Sequence, residues 1–192
     1  MKKKIKIERI INYSRQDIIS EDIEAVCKVM HSDFLTQGDE VPLFESELSS
    51  KVNAKYAVAV NSGTSALHLA CMALDLGEGD IAWTSANTFV ASANCARYCG
   101  AEINFVDICP ESWNLSIDDL EKRLINAKKY KKLPKVLIAV HFAGLPTDQE
   151  RIHHLSIKYG FKIIEDASHS LGASYNGEAV GSCKWSDITV FS

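Results

Sequence analysis

An acidic residue and a histidine follow a short apolar run near the carboxyl end of the chain. Residues 161–164 read FKII and are followed at 165–169 by EDASH, so Asp166 ends a predicted strand and His169 lies just beyond it. Ligands of open α/β sheets lie at the carboxyl ends of the strands. A carboxylate at this place can keep a pyridine ring protonated and so strengthen it as an electron sink. The alternative is an ordinary strand-end acid, and Glu165 beside it is expected on the opposite face of the strand.

A turn rich in small residues lies upstream of this acid. Residues 61–67 read NSGTSAL and follow the apolar run 56–60, so a strand is predicted to end in a turn that begins a helix. Gly63 lets the backbone approach an anion closely, Thr64 offers a hydroxyl, and the helix start is positive. The turn lacks the known P-loop and dinucleotide-binding glycine patterns, and a plain N-capped turn explains it equally well. Together, an anion cradle and a buried acid indicate a phosphorylated cofactor with a nitrogen-containing ring.

Two further segments follow predicted strands and reach the same edge of the sheet. Phe89, within the ANTFVA run at residues 86–91, is either a core aromatic or a ring that stacks on a cofactor. Residues 141–144 read HFAG and add the polar side chain of His141. These positions extend the candidate site beyond the acid and the turn.

Apolar runs of strand length alternate with helical patterns from residue 56 onward. The predicted strands are residues 56–60, 81–84, 103–107, 135–140, 162–166 and 187–191. Repeated β–α units predict an α/β fold with a mainly parallel, doubly wound sheet and helices on both faces. The pair Asn176 and Gly177 predicts a hairpin over residues 173–180, outside the main sheet.

Helix start signals occur at three places. Ser20 is the predicted N-cap of an amphipathic helix over residues 21–30, and a second helix is predicted over 42–52. The runs SIDD at 116–119 and TDQE at 147–150 resemble capping boxes. The first two helices are joined by a predicted loop at residues 35–38.

The composition is that of a soluble globular domain. The 192 residues are 46% hydrophobic and 24% charged, and the net charge of -4 argues against a nucleic-acid partner. No apolar stretch approaches the about 20 residues of a membrane helix, and the start lacks the apolar region of a signal peptide. We therefore expect a cytoplasmic protein without a membrane partner. The six cysteines are expected to be reduced and no metal site is expected, although Cys95 and Cys99 lie one helical turn apart.

The motifs occur in an order that is typical of one enzyme family. The chain from about residue 11 to residue 192 resembles the DegT/DnrJ/EryC1/StrS sugar-nucleotide aminotransferases, which are pyridoxal 5'-phosphate (PLP) enzymes of the aspartate-aminotransferase fold, fold type I. It is most similar to the branch that aminates C4 of a UDP-linked 4-keto-6-deoxy-N-acetylhexosamine in pseudaminic acid biosynthesis. The motifs that carry the resemblance are residues 35–38, 61–67, 88–89, 141–144, 165–169 and 186–192.

The resemblance implies roles for particular residues. Asp166 is the implied partner of the pyridine nitrogen, Phe89 stacks on the ring, and His169 lies near the ring hydroxyl. The residues implied to bind the cofactor are Gly63, Thr64, Phe89, Asp166, His169 and Ser192. The residues implied to line the sugar-nucleotide pocket are Tyr13, Leu35 and Thr36. The family also implies a homodimer and an amino-acid donor, glutamate.

The chain departs from the family pattern at two places. Ala86 stands where many relatives have proline, in the loop that carries Phe89. The lysine that binds the cofactor covalently in the family lies a few residues beyond Ser192, so no catalytic residue is assigned within the chain, and Lys184 matches no motif. We therefore expect a leader at residues 1–12 and an incomplete PLP-binding large domain at 13–192, with the C-terminal small domain absent.

The missing lysine leads to two expectations for this chain alone. As an aminotransferase fragment, it should lack aminotransferase activity. The alternatives are a non-catalytic binding or dimerisation relic and a fragment of a sugar 3-dehydratase, in which histidine replaces the lysine. In the fold that it resembles, an antiparallel strand beyond the lysine lies between the strands at 56–60 and 187–191. The chain alone should leave two apolar edges about 9–10 Å apart, which favours aggregation.

Overall fold

The computed structural model describes residues 15–192, which fall into two compact units divided between Leu43 and Phe44. In the first unit, helix α1 spans Ser20–Met30 and is followed by a loop. The predicted cap is shifted by one residue: Ser20 is already helical, and Ile19 is the N-cap residue. The Ile19 N–H donates to the Asp22 carboxylate at 3.0 Å, so the backbone donor of the N-cap residue has a side-chain partner.

Helix α2 spans Glu40–Val52 and leads into the second unit, which contains the main sheet. The strands in chain order are β1 Ile81–Ser85, β2 Glu102–Val106, β3 Val136–Val140, β4 Lys162–Asp166, β5 Ser174–Tyr175, β6 Glu178–Ala179 and β7 Ile188–Val190. The main sheet has five parallel strands in the order β2-β1-β3-β4-β7. Asp166 pairs with Val140 on one side and with Val190 on the other, so three strands end level at one edge.

Helices cover both faces of the sheet because neighbouring strand residues point in opposite directions. Ile138 and Ile164 pack on one face against helices α3, Gly63–Ala73, and α4, Ala91–Tyr98. Leu137 and Ile163 pack on the other face against helices α5, Ile117–Lys129, and α6, Gln149–Tyr159. Each fully buried leucine or isoleucine contributes about 1.5–3 kcal/mol. The prediction of a doubly wound α/β fold is confirmed.

The predicted strand at residues 56–60 is wrong for this structure. These residues form no strand, and the side chain of Val58 is 79% exposed. A strand needs a hydrogen-bonded neighbour, and no segment within residues 15–192 pairs with this one. One backbone group has a side-chain partner instead, since the Ala59 N–H donates to the Glu45 carboxylate at 2.7 Å.

Two local predictions have different outcomes. The hairpin is confirmed: β5 and β6 pair antiparallel, and Asn176 and Gly177 at its turn have φ of 48° and 81°. The predicted cap of α5 is right for Ser116, whose hydroxyl accepts from the Asp119 N–H at 3.3 Å. The reciprocal half of the capping box is absent, because the Ser116 N–H binds the Asp107 carbonyl and the Asp119 carboxylate accepts from the Asp107 N–H. The predicted cap is wrong for α6, where Asp148 rather than Thr147 is the N-cap residue.

Among the helices of residues 15–192, none is long and apolar enough to cross a membrane.

Candidate active site

Asp166 is a buried carboxylate with a hydrogen-bond donor on each oxygen. It ends β4 and is 6% exposed. The Ser92 hydroxyl on α4 donates to Oδ2 at 2.6 Å, and the Ser168 hydroxyl donates to Oδ1 at 2.7 Å. Hydrogen bonds of this length to a carboxylate are charge-assisted and strong. The acid is therefore held at the carboxyl edge of the sheet in a fixed orientation.

Gly63 begins α3 and lies against Ser192. A Cβ atom added to Gly63 would be 2.9 Å from the Ser192 Cβ and 3.0 Å from its hydroxyl oxygen, so only glycine fits here. The same added atom would be 3.9 Å from the Ser168 hydroxyl oxygen, and this hydroxyl also binds Asp166. The buried acid and the start of α3 are thus neighbours, joined by Ser168.

The first turn of α3 has the properties of an anion cradle. Ser62 is the N-cap residue, and its hydroxyl accepts from the Ser65 N–H at 3.1 Å. Thr64 is half-buried in the same turn. The remaining N–H groups at this end and the positive pole of the helix favour a negatively charged ligand.

The loop between β1 and α4 brings an aromatic ring to the same region. Phe89 lies in this loop, and its side chain is 72% exposed, so it is not the core aromatic of the alternative interpretation. The oxygen atoms of Thr88 Oγ1 and Ser92 Oγ are 2.7 Å apart, and Ser92 binds Asp166. The loop that carries Phe89 is thereby linked to the buried acid.

His169 lies in the loop after β4, and its side chain is exposed. The backbone of this loop packs closely on the loop after β3: a Cβ atom added to Gly144 would be 2.7 Å from the His169 carbonyl oxygen. Gly144 also has φ of 85°, a conformation that favours glycine. The position of His169 therefore depends on a close contact that the sequence pattern HFAG provides.

The other face of the same edge contains a buried histidine–glutamate pair. Glu165 is 3% exposed and faces away from Asp166, as predicted, with its Oε2 3.4 Å from His141 Nε2. The Thr147 N–H donates to His141 Nδ1 at 3.2 Å, so Nδ1 has no proton and Nε2 is the protonated nitrogen. Nε2 faces both Glu165 and the side-chain amide of Gln149, which lies 3.2 Å away. The Thr189 hydroxyl also donates to Glu165 Oε2, at 3.2 Å. This network joins the ends of β3, β4 and β7.

All six cysteines are free. Cys71 on α3 and Cys95 on α4 are both fully buried in the apolar cluster between these helices and the sheet. Contact with the Cys95 thiol, together with burial, raises the pKa of Cys71 far above its usual range. Cys71 therefore remains a neutral thiol that packs as a small hydrophobe.

Within the second unit, the structure brings together three of the predicted site residues. Gly63, Ser192 and Asp166 are neighbours through Ser168. Leu35 and Thr36 lie on an exposed loop of the first unit. Tyr13 lies outside the described residues.

Two hydroxyls that bind Asp166, those of Ser92 and Ser168, were not predicted from the sequence as site residues. Ser92 follows Thr88 by one helical turn, and Ser168 lies inside the EDASH motif. These positions could have indicated that the two serines lie near the site, but they do not show which acid each hydroxyl binds.

Comparison with known proteins identifies the family of this chain. The model of the DegT/DnrJ/EryC1/StrS aminotransferase family matches residues 16–192. A UDP-4-amino-4,6-dideoxy-N-acetyl-beta-L-altrosamine transaminase of Campylobacter jejuni is 39% identical over 183 residues, which are 95% of this chain and 47% of that protein. The chain therefore belongs to this aminotransferase family, and it spans about half the length of such relatives.

Solved structures give the same fold. Helicobacter pylori PseC, an aminotransferase involved in the biosynthesis of pseudoaminic acid, has a TM-score of 0.85 at 32% identity over 94% of this chain and 47% of its own. Spr1654 from Streptococcus pneumoniae, in its PLP form, has a TM-score of 0.82 at 28% identity over 95% of this chain and 48% of its own. The fold is that of the PLP-dependent aminotransferases.

Proposed function

We propose that the complete gene product is a PLP-dependent aminotransferase that acts on a nucleotide-linked keto sugar. The observation that carries this proposal is the buried Asp166 carboxylate, linked by Ser168 to the close contact of Gly63 with Ser192. A ring nitrogen and a phosphate on one small molecule require these two features side by side. The residues present therefore fit PLP.

Each candidate residue has a proposed part in holding the cofactor. The start of α3, with Gly63 and Thr64, binds the phosphate together with Ser192. Phe89 covers one face of the ring from its exposed loop. Asp166 accepts a hydrogen bond from the protonated ring nitrogen, and His169 lies near the ring hydroxyl. When bound, PLP supplies an electron sink for amino-group transfer.

Asp166 performs the electrostatic part of the reaction. Its charge favours the protonated ring nitrogen, and burial of the carboxylate strengthens that attraction. The hydroxyls of Ser92 and Ser168 stabilise the carboxylate itself. This chain therefore provides the groups that bind and activate the cofactor.

Amino-group transfer also requires a base that moves a proton, and no lysine of residues 15–192 is assigned this role. Lys184 precedes β7, and its Nζ atom binds the Glu178 carboxylate at 2.5 Å on the hairpin. We propose that a lysine beyond Ser192 provides the base, as the family resemblance implies.

The proposed substrate is a UDP-linked 4-keto-6-deoxy-N-acetylhexosamine, which is aminated at C4 with glutamate as the donor. Glutamate and the ketone become 2-oxoglutarate and the amino sugar. The similarity to the Campylobacter jejuni transaminase and to PseC supports this choice. We further propose a cytoplasmic homodimer that takes part in pseudaminic acid or a related surface polysaccharide pathway.

The test combines product analysis with two substitutions in the complete gene product. We expect glutamate-dependent formation of the 4-amino sugar, detected by mass spectrometry, and a cofactor absorbance band. Asp166→Ala should abolish turnover, whereas Asp166→Asn should leave some cofactor bound because the amide keeps the shape of the side chain but not its charge. Asp80→Asn changes a carboxylate that precedes β1, at the opposite edge of the sheet, and serves as the control. A complete protein that binds no PLP would refute the proposal.

A further inference from the structure

Three side-chain oxygens form a line from the β1–α4 loop to the buried acid. Thr88 Oγ1 lies 2.7 Å from Ser92 Oγ, and Ser92 Oγ lies 2.6 Å from Asp166 Oδ2. Ser92 is fully buried. Thr88 and Ser92 are four residues apart, whereas Ser92 and Asp166 are 74 residues apart in the chain.

The direction of these hydrogen bonds follows from the number of protons. A carboxylate only accepts, so the single proton of Ser92 points to Asp166. Ser92 then has only lone pairs left for Thr88, and Thr88 must donate to Ser92. The relay is therefore a chain of two hydrogen bonds with a fixed direction: Thr88 donates to Ser92, and Ser92 donates to Asp166.

Ser92 does not behave as most helix serines do. Such hydroxyls commonly bind a backbone carbonyl of the preceding helical turn, as Ser156 does on α6, where its hydroxyl donates to the His153 carbonyl at 2.8 Å. The Ser92 hydroxyl instead leaves its helix to reach β4. The backbone N–H of Ser92 binds the Phe89 carbonyl at 3.1 Å, so one residue contacts both the aromatic loop and the acid.

We propose that Ser92 is a positioning residue that, with Thr88 behind it, fixes the Asp166 carboxylate toward the cofactor's ring nitrogen and couples its orientation to the loop of Phe89. This inference rests on the proposed function. Ser168 holds Oδ1 and Ser92 holds Oδ2, so rotation of the carboxylate breaks at least one short hydrogen bond. Ser92 therefore contacts the Phe89 segment through its backbone N–H and Asp166 through its hydroxyl.

The test measures cofactor binding rather than turnover. Pyridoxamine 5'-phosphate is titrated into the complete gene product by fluorescence, and the absorbance of the bound compound is followed against pH to observe its ring nitrogen. Ser92→Ala should weaken binding about tenfold and move the loss of the ring proton to lower pH. Ser92→Thr retains the hydroxyl and should restore both values. Thr88→Val should give a smaller loss of affinity, about threefold.

Ser156→Ala is the matched control because it removes another helix hydroxyl, one that binds only its own helix. It should change neither value. If Ser92→Ala lowers the melting temperature but leaves the affinity and the ring-nitrogen titration unchanged, the inference is wrong. Wild-type affinity in Thr88→Val would likewise contradict the relay. Absence of pyridoxamine 5'-phosphate binding by the wild type would instead refute the proposed function.

Discussion

Replacing Gly63 by alanine should lower the affinity for a phosphorylated ligand, because the new Cβ atom enters the proposed phosphate site. The new Cβ atom would lie 2.9 Å from the Ser192 Cβ, and ordinary carbon contacts begin at about 3.5 Å. Ser192 must therefore move by about 0.6 Å or more, away from the start of α3. Overpacking of this kind costs about 1–3 kcal/mol. When the overpacking raises the free energy of the ligand-bound state by this amount, the dissociation constant of a phosphorylated ligand rises about 5- to 150-fold.

The assay compares two ligands that differ only in the phosphate. Pyridoxamine 5'-phosphate and pyridoxamine are titrated into the Gly63→Ala variant of the complete protein by fluorescence or calorimetry. We expect a large loss of affinity for the first ligand and little change for the second. The control is Gly77→Ala, because no atom lies within 4 Å of the added Cβ there. Equal losses for both ligands, or wild-type affinity for the phosphorylated one, would show that Gly63 does not form a phosphate cradle.

Other parts of the site provide three further predictions. His141→Ala should lower the free energy of unfolding in urea by about 1–3 kcal/mol, because it removes one of the two donors to the buried Glu165 carboxylate and leaves only the Thr189 hydroxyl. Addition of Glu165→Gln should recover part of the loss, and strict additivity would contradict the pairing. Gly144→Ala should lower the free energy of unfolding by about 1–3 kcal/mol more than Gly172→Ala, since both have positive φ but only Gly144 has a close backbone neighbour; equal losses would exclude that contact. Burial raises the pKa of Tyr175 to about 12, so its contribution to the free energy of unfolding is complete below about pH 10 and is lost as the pH rises to 12. In urea unfolding, the Tyr175→Phe variant should lose less stability than the wild type between about pH 10 and about pH 12. The same pH profile for both proteins would contradict the raised pKa.

Local sequence patterns predicted most of the fold. Strand β4 was predicted with the bounds that it has, because an apolar run that ends in acids marks a buried strand and its end. The alternation of side chains along a strand also predicted that Glu165 and Asp166 face opposite sides. The Asn176 and Gly177 turn was correct because its positive φ values are a property of those residue types. These features depend on neighbours in the chain.

Features that depend on distant partners were not predictable in the same way. Residues 56–60 have the composition of a strand, yet they have no ladder partner within residues 15–192 and form none. The caps of α1 and α6 each differ by one residue from the prediction, because the exact terminal residue of a helix depends on the hydrogen bonds of its last turn. Residue type alone does not decide that position.

The sequence by itself determined the family, the order of the strands and helices along the chain, and the acid at the end of β4. The tertiary structure alone decided that the hydroxyls of Ser92 and Ser168 bind this acid, and that Gly63 contacts Ser192. The physical reason is the range of the interactions. Propensity and side-chain alternation act over a few residues, whereas a hydrogen bond between residues 74 positions apart exists only after α4 and β4 have packed together.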